Sequence, residues 1–196
     1  MIDIYYTYAQ IDSESFTKFV LDRYYNIPNA QICKSIHGKP YIKGDKVFFN
    51  ATHSKGLLAL AVGKKEVGLD CESLLGKARP AVLNKFTERE KSEILTTSDF
   101  YAHWTARESY IKFLGATLAA TWRRVEYYGG RIYFIGQPAP QKILNFSHEN
   151  YTFAFAAITR VTALKKSISP SEIFIEDGRR AAIYLKNRES PSEQTV

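Results

Sequence analysis

An internal repeat constrains the possible architecture of this 196-residue chain more than any other feature. When the sequence is shifted by 95 positions, Asn50-Ala51-Thr52-His53 falls on Asn145-Phe146-Ser147-His148 without a gap. The apolar run Leu58-Ala59-Leu60-Ala61 then falls on Phe153-Ala154-Phe155-Ala156. A solenoid array would need more copies than two. The repeat therefore predicts two similar units, with chance similarity between two apolar β-hairpins as the alternative.

Local patterns predict both strands and helices, and hence an α+β fold. Strands are predicted at residues 2–8, 47–50, 57–62, 67–71, 123–128, 131–135 and 151–158, and helices at 13–25, from about 79, from about 87 and at 100–114. Gly115 follows the last helix as a natural C-terminal glycine. The first half is expected at residues 1–64 and the second at 65–196, with residues 187–196 polar enough to form a disordered tail.

Composition narrows the class of protein. A hydrophobic content of 45% is ordinary for a globular chain. No apolar run reaches the 18 residues of a membrane span, and the start of the chain has no signal-peptide pattern, so we expect a cytoplasmic protein without a membrane partner. The two cysteines, Cys33 and Cys71, lack Cys-x-x-Cys spacing and are expected to be reduced thiols.

The net charge of +7 favours anionic partners. This excess is distributed over both halves, with pairs such as Arg123-Arg124 that do not alternate with aromatic residues. A stacking platform for nucleic acid would need that alternation. Nucleic acid is therefore the weaker interpretation, and phosphorylated ligands or acidic proteins are the better one.

Two acidic clusters carry the chemistry. Residues two apart on a strand face the same side, so Asp70 and Glu72 would project together from the strand at 67–71. Residues four apart on a helix are neighbours, which would place Glu108 beside Lys112 at the edge of an apolar stripe. Three carboxylates beside a lysine suit Mg²⁺ carrying a polyphosphate. Taken singly, each cluster could instead be a solvated strand face or a surface ion pair worth about 0.2–0.5 kcal/mol.

Four segments together resemble a known family. Gly68-Leu69-Asp70-Cys71-Glu72 and Trp104-Thr105-Ala106-Arg107-Glu108-Ser109-Tyr110-Ile111-Lys112 resemble the two signatures of 4′-phosphopantetheinyl transferases of the Sfp-like type. Gly38-Lys39-Pro40-Tyr41 and Phe49-Asn50-Ala51-Thr52-His53-Ser54 resemble that family's Gly-Lys-Pro and Phe-Asn-x-Ser-His-Ser segments. The matches occur in the order found in the family and span about residues 38 to 118.

The resemblance implies two similar α+β halves with the active site in the cleft between them. It implies transfer of 4′-phosphopantetheine from coenzyme A to a serine of an apo acyl or peptidyl carrier protein, by attack on the β-phosphorus and with release of adenosine 3′,5′-bisphosphate. Asp70, Glu72 and Glu108 would hold Mg²⁺, or Mn²⁺ in its place. Glu108 would act as the base, either directly or through water, and Lys112 would neutralise or protonate the leaving phosphate. The protein is expected to be a monomer.

The other matched residues are candidates for binding coenzyme A. Lys39 and His53 would contact its phosphates, Pro40 would lie beside them, and Thr52 and Ser54 would donate hydrogen bonds. Without the resemblance, Lys39 would be interpreted as a loop lysine and His53 as a turn residue.

Residues near the signatures raise further expectations. Arg107 stands where the family usually has lysine, and Glu90 is interpreted as an N-terminal helix charge that could also support the site. An exposed apolar and basic surface from Phe113 to Arg124 could receive the carrier, although Leu114 is expected in the core. A homologue that binds coenzyme A or a carrier without turnover remains the main alternative.

Overall fold

A computed structural model describes residues 2–44, 47–76, 80–158, 163–165, 168–174 and 180–185, and the predicted tail at 187–196 lies outside these ranges. The strands are β1 Ile2–Thr7, β2 Ile32–Lys34, β3 Pro40–Ile42, β4 Phe48–Ser54, β5 Leu57–Gly63, β6 Val67–Ser73, β7 Val125–Tyr128, β8 Arg131–Phe134, β9 Gln137–Pro138, β10 Lys142–His148, β11 Tyr151–Ala157, β12 Ala163–Lys165, β13 Ile168–Phe174 and β14 Arg180–Leu185. The helices are α1 Ser13–Tyr25, α2 Pro80–Leu83, α3 Glu88–Lys91, α4 Thr97–Leu114 and α5 Leu118–Thr121, followed by a 3-10 turn at Trp122–Arg124. The predicted mixed α+β class is confirmed.

Two sheets form the centre of the molecule. The first has the strand order β12-β1-β5-β4, and the second has the order β10-β11-β6. Neighbouring strands are antiparallel except for β12, which pairs in parallel with β1. The segment 163–165 therefore joins the sheet of the N-terminal part of the chain. Smaller sheets are formed by β2 with β3, by β7 to β9, and by β13 with β14.

The two central sheets share a connectivity. In each sheet, the first strand is followed in the chain by a helix and later by a hairpin. The second strand of that hairpin pairs with the first strand of the sheet, which gives the strand orders β1-β5-β4 and β6-β11-β10. The 95-residue shift, however, does not align equivalent positions. His53 pairs with Leu58, one step from the turn, whereas His148 pairs with Tyr151 directly at the turn. A shift of one residue moves side chains to the opposite face of a strand. The matched Asn and His residues of the repeat are therefore not structurally equivalent.

The core forms three layers of apolar contacts. Helix α1 packs on the outer face of the first sheet through Phe16, Val20 and Leu21. The inner faces of the two sheets pack against each other through residues such as Leu69 and Phe155. Helix α4 covers the outer face of the second sheet, packing on β6 and β11. The result is an α/β/β/α sandwich in which the edges of the two sheets, β4 and β6, meet beside α4.

Local signals set the ends of the two long helices. Asp12 accepts a hydrogen bond from the Ser15 amide at 2.9 Å and caps α1. Helix α4 begins with a capping box between Thr96 and Asp99 and ends at Gly115, which has a φ of 64°. No helix in the described residues is long and apolar enough to cross a membrane.

Several details differ from the sequence-based expectations, among them the following two. Leu114, expected in the core, is 39% exposed because it follows the last buried turn of α4. The short hairpin of β2 and β3 was not predicted, because each strand has only three residues and lacks a clear alternating pattern.

Replacement of Gly68 by alanine is expected to destabilise the protein by about 3 kcal/mol. A Cβ at this position would lie 1.9 Å from the Ser109 carbonyl oxygen and 2.4 Å from the Phe113 amide nitrogen, both in the backbone of α4. Gly63→Ala is the control, because its Cβ would lie no closer than 3.2 Å to a side-chain atom of Ile2. Chemical denaturation would measure both losses, and similar values for the two variants would contradict the close approach of α4 to β6.

Candidate functional site

Strand β6 supplies two carboxylates to one side of the second sheet. Leu69 and Cys71 point into the core between the sheets, and Asp70 and Glu72 point the other way, as the alternating pattern predicted. The alternative of a solvated strand face does not hold for Asp70. Asp70 is only 3% exposed, because β4 and α4 cover it.

Helix α4 adds a cation and a third carboxylate above β6. Lys112 Nζ lies 2.6 Å from Asp70 Oδ1 and 3.9 Å from Glu108 Oε2. It also lies 3.3 Å from Thr52 Oγ1 on β4. The structure thus brings the two sequence clusters together, although they are separated by more than 30 positions along the chain.

Burial changes the protonation of these groups. Burial raises the pKa of Glu108 to about 8, with the negative charges of Asp70 and Glu72 acting in the same direction and the Lys112 charge acting against them. For Lys112, burial lowers the pKa, but the charges of Asp70 and Glu108 outweigh it and the pKa is raised. Lys112 is therefore a permanent cation at neutral pH, and Glu108 is poised to exchange a proton.

The donor chemistry of this cluster fits Mg²⁺. Its ligands would be hard carboxylate oxygens, and Asp70 Oδ2 is buried without a hydrogen-bond partner among the described residues. As the side chains stand, no three His, Cys, Asp or Glu residues in the described ranges converge closely enough to hold an ion by themselves. Mg²⁺ usually keeps several waters and needs only one or two carboxylates besides substrate phosphates. Asp70, Glu72 and Glu108 are carboxylates of the kind that such a site needs.

Two open grooves flank the carboxylates. One, of about 440 Å³, is lined by Lys39, Pro40 and the C-terminal end of α4. The other, of about 400 Å³, is lined by Ser54, Glu72 and Trp104. In chain order, Thr52 on β4, Asp70 on β6 and Lys112 on α4 each lie between a residue that lines the first groove and a residue that lines the second. Of these two grooves, the second has a carboxylate of the cluster, Glu72, in its lining.

The β4 residues proposed from sequence divide between two faces of the strand. Thr52 donates a hydrogen bond to Asp70 at 3.0 Å, and Ser54 donates one to Glu72 at 2.8 Å. His53 lies between them and points to the opposite side, where it is exposed. The structure therefore places two of these three residues at the acidic cluster and His53 away from it.

Lys39 is partly buried and makes intramolecular contacts. Its Nζ lies 2.5 Å from Glu66 and donates to the carbonyl oxygens of Val67 and Phe113, each at 3.1 Å. Burial lowers the pKa of Lys39, against the opposing effect of Glu66. Lys39 thus ties the loop before β3 to the start of β6 and to the end of α4. Sequence reasoning did not identify Glu66, because it lies outside the matched motifs.

Arg107 and Glu90 form a buried ion pair beneath α4. Their side chains are 1% and 0% exposed, with 3.1 Å between Arg107 Nη1 and Glu90 Oε2. The Arg107 guanidinium stacks on Trp122 at 3.8 Å, and Glu90 also accepts the amide hydrogens of Thr87 and Tyr127. Glu90 is the first-turn charge of α3 that we predicted, but it is buried. The arginine that stands where the family usually has lysine therefore packs against Glu90 and Trp122, and not at the acidic cluster.

The thiol between the two β6 carboxylates should be unreactive in the native protein. Burial raises the pKa of Cys71 to about 12, and the negative charge of Asp70 acts in the same direction. Titration with a thiol-specific disulfide reagent is expected to modify the half-buried Cys33 alone before unfolding and both thiols in denaturant. A native Cys33→Ser variant should show no rapid reaction, and rapid modification of that variant would contradict the burial of Cys71.

The raised pKa of Glu108 predicts a pH dependence of stability. Between pH 4.5 and about 8, the folded protein keeps the Glu108 proton, whereas the unfolded chain, whose carboxyl pKa is 4.5, releases it. The contribution of Glu108 to the free energy of unfolding is therefore fully present below pH 4.5 and is lost as the pH rises towards about 8. In EDTA, the melting temperature of the wild type should fall relative to that of Glu108→Gln across this window. If the melting temperatures of the two proteins changed with pH in the same way, the pKa of Glu108 would not be raised by folding.

Comparison with known proteins connects this acidic site to a family of transferases. Residues 66–157, which include Asp70, Glu72, Glu108 and Lys112, match the model of the 4′-phosphopantetheinyl transferase superfamily. The chain is 31% identical over 116 residues to the 4′-phosphopantetheinyl transferase gsp of Aneurinibacillus migulanus, a match that covers 55% of this chain and 48% of that protein. It is 31% identical over 90 residues to a 4′-phosphopantetheinyl transferase of Bacillus subtilis, covering 42% and 40%.

The fold and the site define an α+β protein with an acidic cluster between two grooves. Residues 66–157, slightly less than half of the chain, are similar to the 4′-phosphopantetheinyl transferase superfamily. The chain spans about half or less of the length of the two curated relatives described above. The matches agree with the family that the sequence motifs indicated.

Proposed function

We propose that this protein transfers the 4′-phosphopantetheine group of coenzyme A to a serine hydroxyl of an apo acyl or peptidyl carrier protein. The observation that carries the proposal is the convergence of Asp70, Glu108 and Lys112 between two grooves. Such a cluster suits a reaction at a pyrophosphate, because carboxylates can hold a divalent cation and the lysine can stabilise negative charge on the phosphates.

Each residue of the cluster has a defined role in this proposal. Asp70, Glu72 and Glu108 would hold Mg²⁺, or Mn²⁺, which would neutralise charge on the pyrophosphate when bound. Glu108 accepts the proton of the serine hydroxyl, directly or through a water molecule, as that oxygen bonds to the β-phosphorus. The bond from the β-phosphorus to the bridging oxygen breaks, and Lys112 stabilises or protonates the phosphate of the departing adenosine 3′,5′-bisphosphate. Burial raises the pKa of Glu108 to about 8 in the protein without a metal ion, and a cation bound to this carboxylate would lower that pKa.

The two grooves suit the two ends of coenzyme A. The nucleotide would lie in the groove at Lys39 and Pro40, and the pantetheine arm would extend into the groove beside Trp104. His53 would reach a phosphate only from the far side of β4, since its side chain points away from Thr52. Lys39 would contact a phosphate at the expense of its bond to Glu66.

We further propose that the active site lies between two similar halves, residues 1–64 and 65–196, as in the Sfp-like type. The shared strand order of β1-β5-β4 and β6-β11-β10 supports this relation. The carrier would approach over the end of α4, where Leu114 and Leu118 are 39% and 38% exposed beside the exposed pair Arg123-Arg124. Apolar anchors with neighbouring cations suit an acidic partner surface.

The intact mass of an apo acyl or peptidyl carrier protein tests the proposal. After incubation with this protein, coenzyme A and Mg²⁺, the carrier should gain the mass of one phosphopantetheine group, and EDTA should prevent the gain. A carrier in which alanine replaces the acceptor serine is the control. An unchanged mass for several carriers, in spite of measurable coenzyme A binding, would contradict the proposed activity.

A further inference from the structure

Three side chains of β4 connect the edges of the two central sheets. We call them the β4 ladder, and they are Asn50, Thr52 and Ser54. Each accepts a hydrogen bond from a β6 amide 19 residues later, namely from Leu69 at 2.8 Å, Cys71 at 3.3 Å and Ser73 at 3.1 Å. Since β6 is an edge strand of its sheet, the ladder satisfies amides that have no strand partner on this side.

Two members of the β4 ladder also contact the acidic cluster. Thr52 donates its hydroxyl hydrogen to Asp70 at 3.0 Å, and Ser54 donates its hydroxyl hydrogen to Glu72 at 2.8 Å. A hydroxyl has one hydrogen to donate. Because the oxygen of each hydroxyl is held by a β6 amide and the hydrogen is given to a carboxylate, neither group has a second hydrogen for a phosphate.

These contacts distinguish the two oxygens of Asp70. Oδ1 receives hydrogen bonds from Thr52 at 3.0 Å and from Lys112 at 2.6 Å. Oδ2 is buried and has no hydrogen-bond partner among the described residues. Oδ2 is therefore the oxygen that remains to coordinate an ion. Ligating carboxylates are commonly oriented in this way by groups that do not themselves touch the metal.

We infer that Thr52 and Ser54 are positioning residues, which orient Asp70 and Glu72 towards a divalent cation and do not bind the phosphates of coenzyme A. This inference rests on the proposed function, in which the two carboxylates are metal ligands. It reassigns two residues that the sequence motif alone would place at the phosphates.

Thr52→Val tests the inference, because it removes the hydroxyl and nearly keeps the shape of the side chain. We expect its affinity for Mn²⁺ in the presence of coenzyme A to fall by about 10–100-fold, measured from the electron paramagnetic resonance signal of free Mn²⁺. Thr52→Ser should restore the affinity. At saturating Mn²⁺, the KM of the transfer reaction for coenzyme A should be close to the wild-type value, whereas loss of a phosphate contact would raise it.

The β4 ladder offers a matched control. Asn50 accepts from the Leu69 amide, but no hydrogen bond joins it to Asp70 or Glu72 in the described residues. Asn50→Ala should therefore lower the melting temperature, as Thr52→Val does, and retain Mn²⁺ affinity. If Thr52→Val does not fold, Ser54→Ala provides the same comparison at Glu72.

The outcomes separate this inference from the function on which it rests. Equal Mn²⁺ affinities of the wild type and the hydroxyl-deleted variant would overturn the positioning role alone. The same conclusion would follow if the KM for coenzyme A rose at saturating Mn²⁺. Failure of the wild type to bind Mn²⁺ would overturn the metal role of the carboxylates and this inference with it.

Discussion

Glu108→Gln is expected to reduce the rate of phosphopantetheine transfer by about 10²–10⁴-fold, the usual contribution of a general base. Glutamine keeps the size of the side chain but cannot accept the serine proton, and its neutral amide is a weaker metal ligand. The fold should survive, because Glu108 is at the edge of the core, with a side chain 18% exposed. Single-turnover transfer to an apo carrier, monitored by intact mass at saturating coenzyme A and metal, would measure the effect.

Two further measurements make the result specific. Glu14→Gln alters a half-exposed glutamate on α1 and should transfer at the wild-type rate. Circular dichroism and chemical denaturation of Glu108→Gln should show a folded protein. Wild-type transfer by a folded Glu108→Gln protein would remove Glu108 from the proposed mechanism.

Glu90→Ala is expected to lower the free energy of unfolding by about 3–5 kcal/mol, because it leaves the Arg107 charge buried and unpaired. The variant also removes the acceptor of the Tyr127 amide and the capping box of α3. Guanidinium denaturation followed by fluorescence is a suitable measurement, since Trp122 lies against Arg107.

Glu88→Ala is the matched control for this loss. Glu88 lies in the same short helix, but its side chain is 90% exposed and its ion pair with Lys91 is on the surface. Such a pair contributes about 0–1 kcal/mol, so this variant should remain close to the wild type. Comparable losses of unfolding free energy in Glu88→Ala and Glu90→Ala would show that the buried ion pair contributes no more to stability than the surface pair.

Much of the local structure follows from the sequence. The strand predicted at residues 67–71 correctly placed Asp70 and Glu72 on one face, and the four-residue spacing correctly placed Glu108 beside Lys112. Gly115 correctly predicted the C-terminal end of α4. These features depend on backbone periodicity and on hydrogen bonds between near neighbours, so they are encoded within a few residues of each other.

The repeat shows where such reasoning fails. The ungapped alignment treated His53 and His148 as equivalent, yet they occupy different positions in their hairpins. Sequence identity does not report which residue is paired across a turn, and one residue of slip reverses the face of every side chain. The shared strand order is visible only in the pairing of the sheets.

The sequence by itself determined the residue types of the site, the strand and the helix that carry them, and the family that the chain resembles. Tertiary structure alone decided that β4 meets the edge of β6, that Thr52 and Ser54 face the carboxylates while His53 does not, and that Arg107 is buried against Glu90. Those outcomes depend on contacts between segments 17 to 60 residues apart in the chain. Packing of the whole chain sets such contacts, and with them the burial that shifts the pKa of Glu108.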